Sequence, residues 1–140
     1  MTNSSDSELI LKLTRLQGRI DRQVDSALGV HGISYSEFQV MRSLAQAPDQ
    51  VMKRVHLADS VGLTASGVTR LLAPMEKIGI VRRESNARDA RVSLVKLTAA
   101  GKRLFADAET TLSETSQSLV ASLTASQKLG LRTTVDRMLA

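Results

Sequence analysis

The residues best suited to chemistry cluster in the middle of the chain. The polar segment Ser85-Asn86-Ala87-Arg88-Asp89-Ala90-Arg91 lies between two short apolar runs and carries two exposed-type arginines. Just upstream, Thr64, Ala65, Ser66, Thr69 and Arg70 combine small side chains, hydroxyls and one guanidinium. Neither group looks like reaction chemistry. Both suit recognition of a polyanion, in which hydroxyls and guanidinium groups meet phosphates and base edges.

Residue types needed for catalysis or metal binding are scarce. There is no cysteine, which excludes disulfides, thiolate zinc sites and induction by cysteine oxidation. Peroxide release would have to act through methionine or by another route. The two histidines, His31 and His56, stand in no metal-ligand or catalytic spacing. Phosphate-loop, nucleophile-elbow and HExxH motifs are missing. No enzyme activity, metal or cofactor is expected.

A helix-turn-helix positions the first group. In Leu57-Ala58-Asp59-Ser60-Val61-Gly62-Leu63-Thr64, Ala58 is the small residue needed where two helices cross. Gly62, four residues on, supplies the positive-φ turn, and Thr64 is a natural N-cap for the second helix. Leu57, Val61, Leu63, Val68 and Leu71 are expected to share a small core. With Val68, Leu71, Leu72 and Met75 facing inward, Ala65, Ser66, Thr69, Arg70 and Ala73 face outward. Short side chains admit such a helix deep into the major groove, where Ala65 can meet a thymine methyl. Arg70 is compatible with either a guanine or a phosphate. Pro74 interrupts the pattern, and its missing N–H predicts a kink or break nearby.

The second group belongs to a hairpin, with strands expected over 80–84 and 92–97. A two-stranded hairpin is marginal alone and must lean on neighbouring helices. An arginine-tipped hairpin beside a recognition helix is a wing, suited to placing arginine in a narrow minor groove.

Long helices flank this unit. Leu9, Leu13, Leu16, Ile20, Val24 and Leu28 form one stripe on a helix that Gly29 and Gly32 end. Ser34 and Glu37 form a capping box for the next helix, with Ile33 and Phe38 as its hydrophobic staple. Thr98 caps a run over 99–123 lined by Leu104, Ala108, Leu112, Leu119 and Leu123. A last helix follows Thr124 and Gln127, with Leu131, Val135, Met138 and Leu139 on its apolar face. The expected fold is mainly α with a small β-hairpin wing, one domain over 1–140. Residues of about 34–98 form the winged helix-turn-helix.

Charge agrees with this division. The chain has a net charge of +5, yet residues 51–105 hold eleven basic and four acidic side chains while the remainder is slightly acidic. A localised basic surface is the footprint of a nucleic-acid partner. A winged helix built for a protein partner would require neither the arginine tip nor the short-side-chained outward face.

Taken in order, these motifs resemble the MarR family of winged helix-turn-helix transcriptional regulators. The similarity is carried by Asp89-Ala90-Arg91, Leu94-Val95-Lys96-Leu97-Thr98 and Gly101, with Thr69-Arg70-Leu71-Leu72, Glu76, Gly79, Val81 and Arg83 at the recognition-helix exit. The resemblance implies that Asp89 orients Arg91 as the minor-groove probe, with Arg88 a second DNA contact. It also implies a repressor on a pseudo-palindromic double-stranded operator, released by a small aromatic or phenolic anion.

The flanking stripes, on about 6–30 and 99–140, exceed what one winged helix can cover. Packing against a second copy is therefore expected, through Leu9, Leu13, Leu16, Ile20, Leu119, Leu123, Leu131, Val135 and Leu139. The resemblance implies the same homodimer. No pocket for an effector is apparent: the aromatic residues are only Tyr35, Phe38 and Phe105, and Arg15, Arg19 and Arg42 are the cations available to an anion. With no membrane span or signal-type leader in view, a cytoplasmic location is expected.

Overall fold

The computed structural model describes residues 2–140, with side chains from Ser5 onward. Helix α1 (Thr2–Leu28) leads through a short 3-10 turn to α2 (Tyr35–Gln46). Strand β1 (Val51–Lys53), α3 (Arg54–Val61), α4 (Ala65–Lys77), β2 (Val81–Ser85) and β3 (Ser93–Leu97) follow, and α5 (Ala99–Leu119) and α6 (Ala125–Leu139) complete the chain.

Local signals set most of these boundaries. The Ser34–Glu37 capping box is present in both directions at 3.1 and 2.9 Å, and Ile33 and Phe38 are both buried. Thr64, Thr98 and Thr124 each accept from the backbone N–H three residues on. Gly32 ends the first turn region at φ 73°, a conformation glycine adopts without Cβ strain.

Four expectations change. The sheet has three strands in the order β1-β3-β2, because Val51, Met52 and Lys53 pair antiparallel with Lys96, Val95 and Leu94. This third strand relieves the hairpin of its marginal two-strand state, and α3 starts after it, at Arg54. Helix α5 stops at Leu119 rather than running to Leu123, with turns over residues 120–122. Leu63 is exposed instead of joining the small core, because the turn at Gly62 carries it outward.

The fourth change concerns Pro74. Helix α4 continues through it to Lys77, so the expected break does not occur. Pro74 itself is exposed. Leu72 and Met75, fully buried on either side, hold the helix against the core. The lost bond is thereby tolerated without ending the helix.

The core gathers Val24 and Leu28 of α1, Phe38, Val40, Met41 and Leu44 of α2, Leu57 of α3, Val68, Leu72 and Met75 of α4, Val95 and Leu97 of β3, and Ala108 of α5. Phe38 stacks on Phe105 with centroids 5.3 Å apart, joining α2 to α5. In contrast, α6 has no buried residue, and Leu9, Ile10, Leu11, Leu16, Leu131, Val135 and Leu139 are exposed. Ile20 and Leu119 pack partly against this chain's own core. Among the described residues no helix is long and apolar enough to cross a membrane.

Candidate nucleic-acid interface

Helix α3 ends at Gly62, whose φ of 70° turns the chain and lets Leu63 donate to the Ala58 carbonyl at 2.9 Å. Leu57, Ala58 and Val68 are buried at the crossing of α3 and α4. The crossing leaves the other side of α4 open: Thr64, Ala65, Ser66 and Arg70 are exposed, and Thr69 is half-buried. Thr64 Oγ1 accepts from the Gly67 N–H at 3.0 Å and lies 3.3 Å from Ser66 Oγ, so both hydroxyls gather at the helix N-terminus. There the unpaired backbone N–H groups favour an anion.

The wing grows from β2 and β3, paired in register from Val81↔Leu97 to Ser85↔Ser93. Its tip, residues 86–92, is built by two local turns. Asn86 Oδ1 accepts from the Arg88 N–H at 2.9 Å, and Asp89 Oδ1 accepts from the Arg91 N–H at 3.0 Å. The Asp89 carboxylate also grips the Arg91 guanidinium with both oxygens, Nε to Oδ1 at 3.1 Å and Nη2 to Oδ2 at 3.3 Å. Arg91 nonetheless keeps 91% of its side chain in solvent. The pair therefore aims a guanidinium outward without shielding it. The Arg91 side chain first, then the Arg91 backbone N–H and more weakly Lys53, hold the Asp89 carboxyl below its ordinary value. Arg88 is likewise exposed.

Elsewhere on the wing the positive charge is partly spent. Arg82 pairs with Glu84 at 2.8 Å, and Arg83 reaches back to Glu76 of α4 at 2.6 Å. The second pair braces β2 against the recognition helix. Exposed pairs of this kind contribute little energy, about 0–1 kcal/mol, but they fix orientation.

The fold also brings in residues that spacing did not reveal. Lys53, Arg54 and His56, at the start of α3, line one cleft of about 280 Å³ with Arg91, Val92 and Ser93. Arg54 Nη1 donates to Thr69 Oγ1 at 3.1 Å, while Arg54 Nε is buried without a partner. The dipeptide Lys53-Arg54 was the available signal, but only the sheet pairing of β1 shows which way it faces. Of the histidines, His31 Nε2 lies 2.6 Å from Thr111 Oγ1 of α5, and His56 is exposed. Among the described residues no cluster of His, Asp or Glu could hold a metal ion.

Comparison with known proteins places this geometry. Residues 33–93, from the cap of α2 to the start of β3, match the MarR family model. The HTH-type transcriptional regulator PrsX of Escherichia coli is 26% identical over 87 residues, covering 62% of this chain and 52% of PrsX. The chain thus spans about half the length of the first curated relatives it matches. The HTH-type transcriptional repressor Rv2887 of Mycobacterium tuberculosis is 26% identical over 135 residues, 96% of each chain. Among solved structures, a cysteine-to-serine mutant of MarR from E. coli complexed with operator DNA superposes with a TM-score of 0.87. It is 25% identical, covering 95% of this chain and 94% of that one.

Proposed function

The chain carries a winged helix of the MarR family, and from that premise we propose that it is a homodimeric regulator of transcription that binds double-stranded DNA. The observation that carries the reading is the Asp89–Arg91 pair, a guanidinium held by two carboxylate oxygens yet almost wholly exposed at the tip of a wing. Such a group suits a narrow minor groove, where negative potential is concentrated. In this reading Thr64, Ala65, Ser66, Thr69 and Arg70 meet the major groove, and Arg88 adds a contact beside Arg91.

Residues of about 34–98 form the DNA-binding part, and the helices over 6–30 and 99–140 join two copies. Exposed apolar side chains at both ends of the chain support this, α6 above all, since an isolated helix of its length is marginal in water. A two-fold dimer presents two recognition helices to a pseudo-palindrome with half-sites roughly 34–36 Å apart. Repression fits the regulator Rv2887, which is named a repressor.

Release by a small aromatic or phenolic anion completes the proposal. Arg15 and Arg19, with Lys12 and Arg22, line an open surface cleft of about 590 Å³ along α1. An effector acts only by favouring one dimer geometry over another.

The test is a titration of wild type and Arg91→Ala on the DNA upstream of the gene and on randomised duplexes, at several salt concentrations. Wild type should bind tightly, with affinity falling as salt rises. Arg91→Ala should lose on the order of tenfold and show a shallower salt dependence by about one charge. Absence of any preferred duplex for wild type would overturn the proposal.

A further inference from the structure

Arg54, the first residue of α3, donates from Nη1 to Thr69 Oγ1 of the recognition helix at 3.1 Å. With Lys53 and His56 it also lines the cleft of about 280 Å³ that Arg91 and Ser93 of the wing line as well. The cleft therefore lies between the recognition helix and the wing, and Arg54 borders it from the helix side. Lys53, Arg54 and Arg91 bring cations to it, and no lining residue is acidic. Lys53 and Arg54 form no ion pair among the described residues. Asp89, whose carboxyl feels Lys53, has both oxygens engaged by Arg91. A cationic cleft without its own counter-charge is suited to an oxyanion.

Backbone and packing add to this. The cap residue of α3, Lys53, makes no side-chain cap bond, so the N–H groups of the first turn open where Lys53 to His56 line the cleft. Arg54 Nε is buried, and Nη1 is tied to Thr69, so the guanidinium is ordered before any ligand arrives. Little side-chain freedom is then left to lose on binding.

The position of the cleft selects the oxyanion. In duplex DNA one sugar-phosphate strand separates a major groove from the adjacent minor groove. A protein with α4 in the first and Arg91 in the second straddles that strand, and the surface between them faces it. We propose that this cleft seats one backbone phosphate per half-site, with Lys53 and Arg54 as its cations and His56 at its rim. A seated phosphate fixes how deeply helix and wing enter their grooves, which is how backbone contacts position a reader. The inference rests on the DNA-binding reading above and adds a contact that lies outside both the recognition helix and the wing tip.

The test uses the full-length chain as wild type, Lys53→Gln and Arg54→Gln. The probe is a duplex selected from a randomised pool, with one phosphate at a time replaced by a neutral methylphosphonate. Lys53→Gln should weaken binding on the order of fivefold on every sequence alike, with a salt slope shallower by about one. One methylphosphonate per half-site, on the strand between the grooves, should weaken wild type similarly. In either variant that same replacement should cost at most about half as large a factor, because effects on two touching groups do not add. Replacements elsewhere should act independently of both variants. Lys53 is exposed, so its variant keeps the test available if Arg54→Gln does not fold.

Losses that add independently at every phosphate would overturn the proposal. So would variants that bind DNA as wild type does. If those variants also fail to release DNA to benzoate when wild type does release it, the cleft holds a small carboxylate instead of a phosphate. Wild type that selects no duplex would sink the DNA-binding reading, and this inference with it.

Discussion

The Thr98 hydroxyl donates to the Gly79 carbonyl at 2.6 Å, tying the start of α5 to the turn that leaves the recognition helix. The same oxygen accepts from the Gly101 N–H at 3.0 Å, and the Thr98 N–H donates to the Ile80 carbonyl at 3.1 Å. One residue thus caps a long helix and anchors the exit of α4. Thr98→Val keeps the shape and removes the hydroxyl, so it should cost about 1–2 kcal/mol of stability from the lost cap alone. Denaturant unfolding measures this, and a midpoint equal to wild type would show the joint to be idle.

Gly101 faces the same joint from the helix side. A Cβ built there runs into the Ile80 carbonyl and the Leu97 side chain, and the first obstacle is backbone. Overpacking commonly costs about 1–3 kcal/mol, and Gly101→Ala should lie at or above the top of that range. Its gain in helix propensity, about 1 kcal/mol, acts in the opposite direction and is smaller. A lowered melting temperature is the expected reading.

Pro74→Ala should raise stability. The substitution restores a donor to the Arg70 carbonyl and removes a ring from a helix interior, where proline costs about 3 kcal/mol. The greater freedom of the unfolded chain returns about 0.4–1 kcal/mol of this. A higher urea midpoint with an unchanged slope is expected, and a lower one would mean that the ring makes contacts worth more than the missing bond.

The wing pair sets a pH window. Asp89 is held below the ordinary carboxylate value by Arg91, so its contribution is complete above the unfolded-state value, near 4. It is lost as pH falls through the lower folded-state value. The Asp89–Arg91 geometry should therefore be flat from pH 5 to 8. Carboxylate carbon shifts followed by NMR would check this, with Arg91→Ala expected to return the Asp89 midpoint upward. Asp89→Asn should loosen Arg91 at every pH.

The exposed stripe of α6 gives a direct test of self-association. Val135→Asp places a charge where the proposed partner helix would pack, and should shift the protein toward monomer at micromolar concentration in light scattering. Thermal stability should become less dependent on protein concentration. A wild-type chain already monomeric under those conditions would remove the dimer from the proposal.

Much of this architecture was legible because its signals are short-range. The Ser34–Glu37 and Thr124–Gln127 boxes, the Gly62 turn and the leucine spacing of α1 each act within a few residues, where backbone geometry alone fixes who meets whom. The outward placement of Ala65, Ser66, Arg70 and Ala73 followed from the same periodicity, while Thr69, expected beside them, is half-buried. Strand β1 escaped notice because Val51-Met52-Lys53 is too short to show alternation, and its partner lies more than forty residues away. The helix does not break at Pro74 because the burial of Leu72 and Met75, which propensity does not count, offsets the missing bond.

By itself, then, the sequence determined the order of helices, their caps, the turn of the helix-turn-helix and the basic middle of the chain. All of these arise from neighbours along the backbone. Only the tertiary structure decided that Arg54 meets Thr69, that Thr98 holds Gly79 and that His31 meets Thr111. Those pairs lie 15, 19 and 80 residues apart, and nothing local aims one at the other. Their meeting follows from burial of the shared core, which brings α1, α3, α4 and α5 together and leaves each polar group to find its partner at the edge.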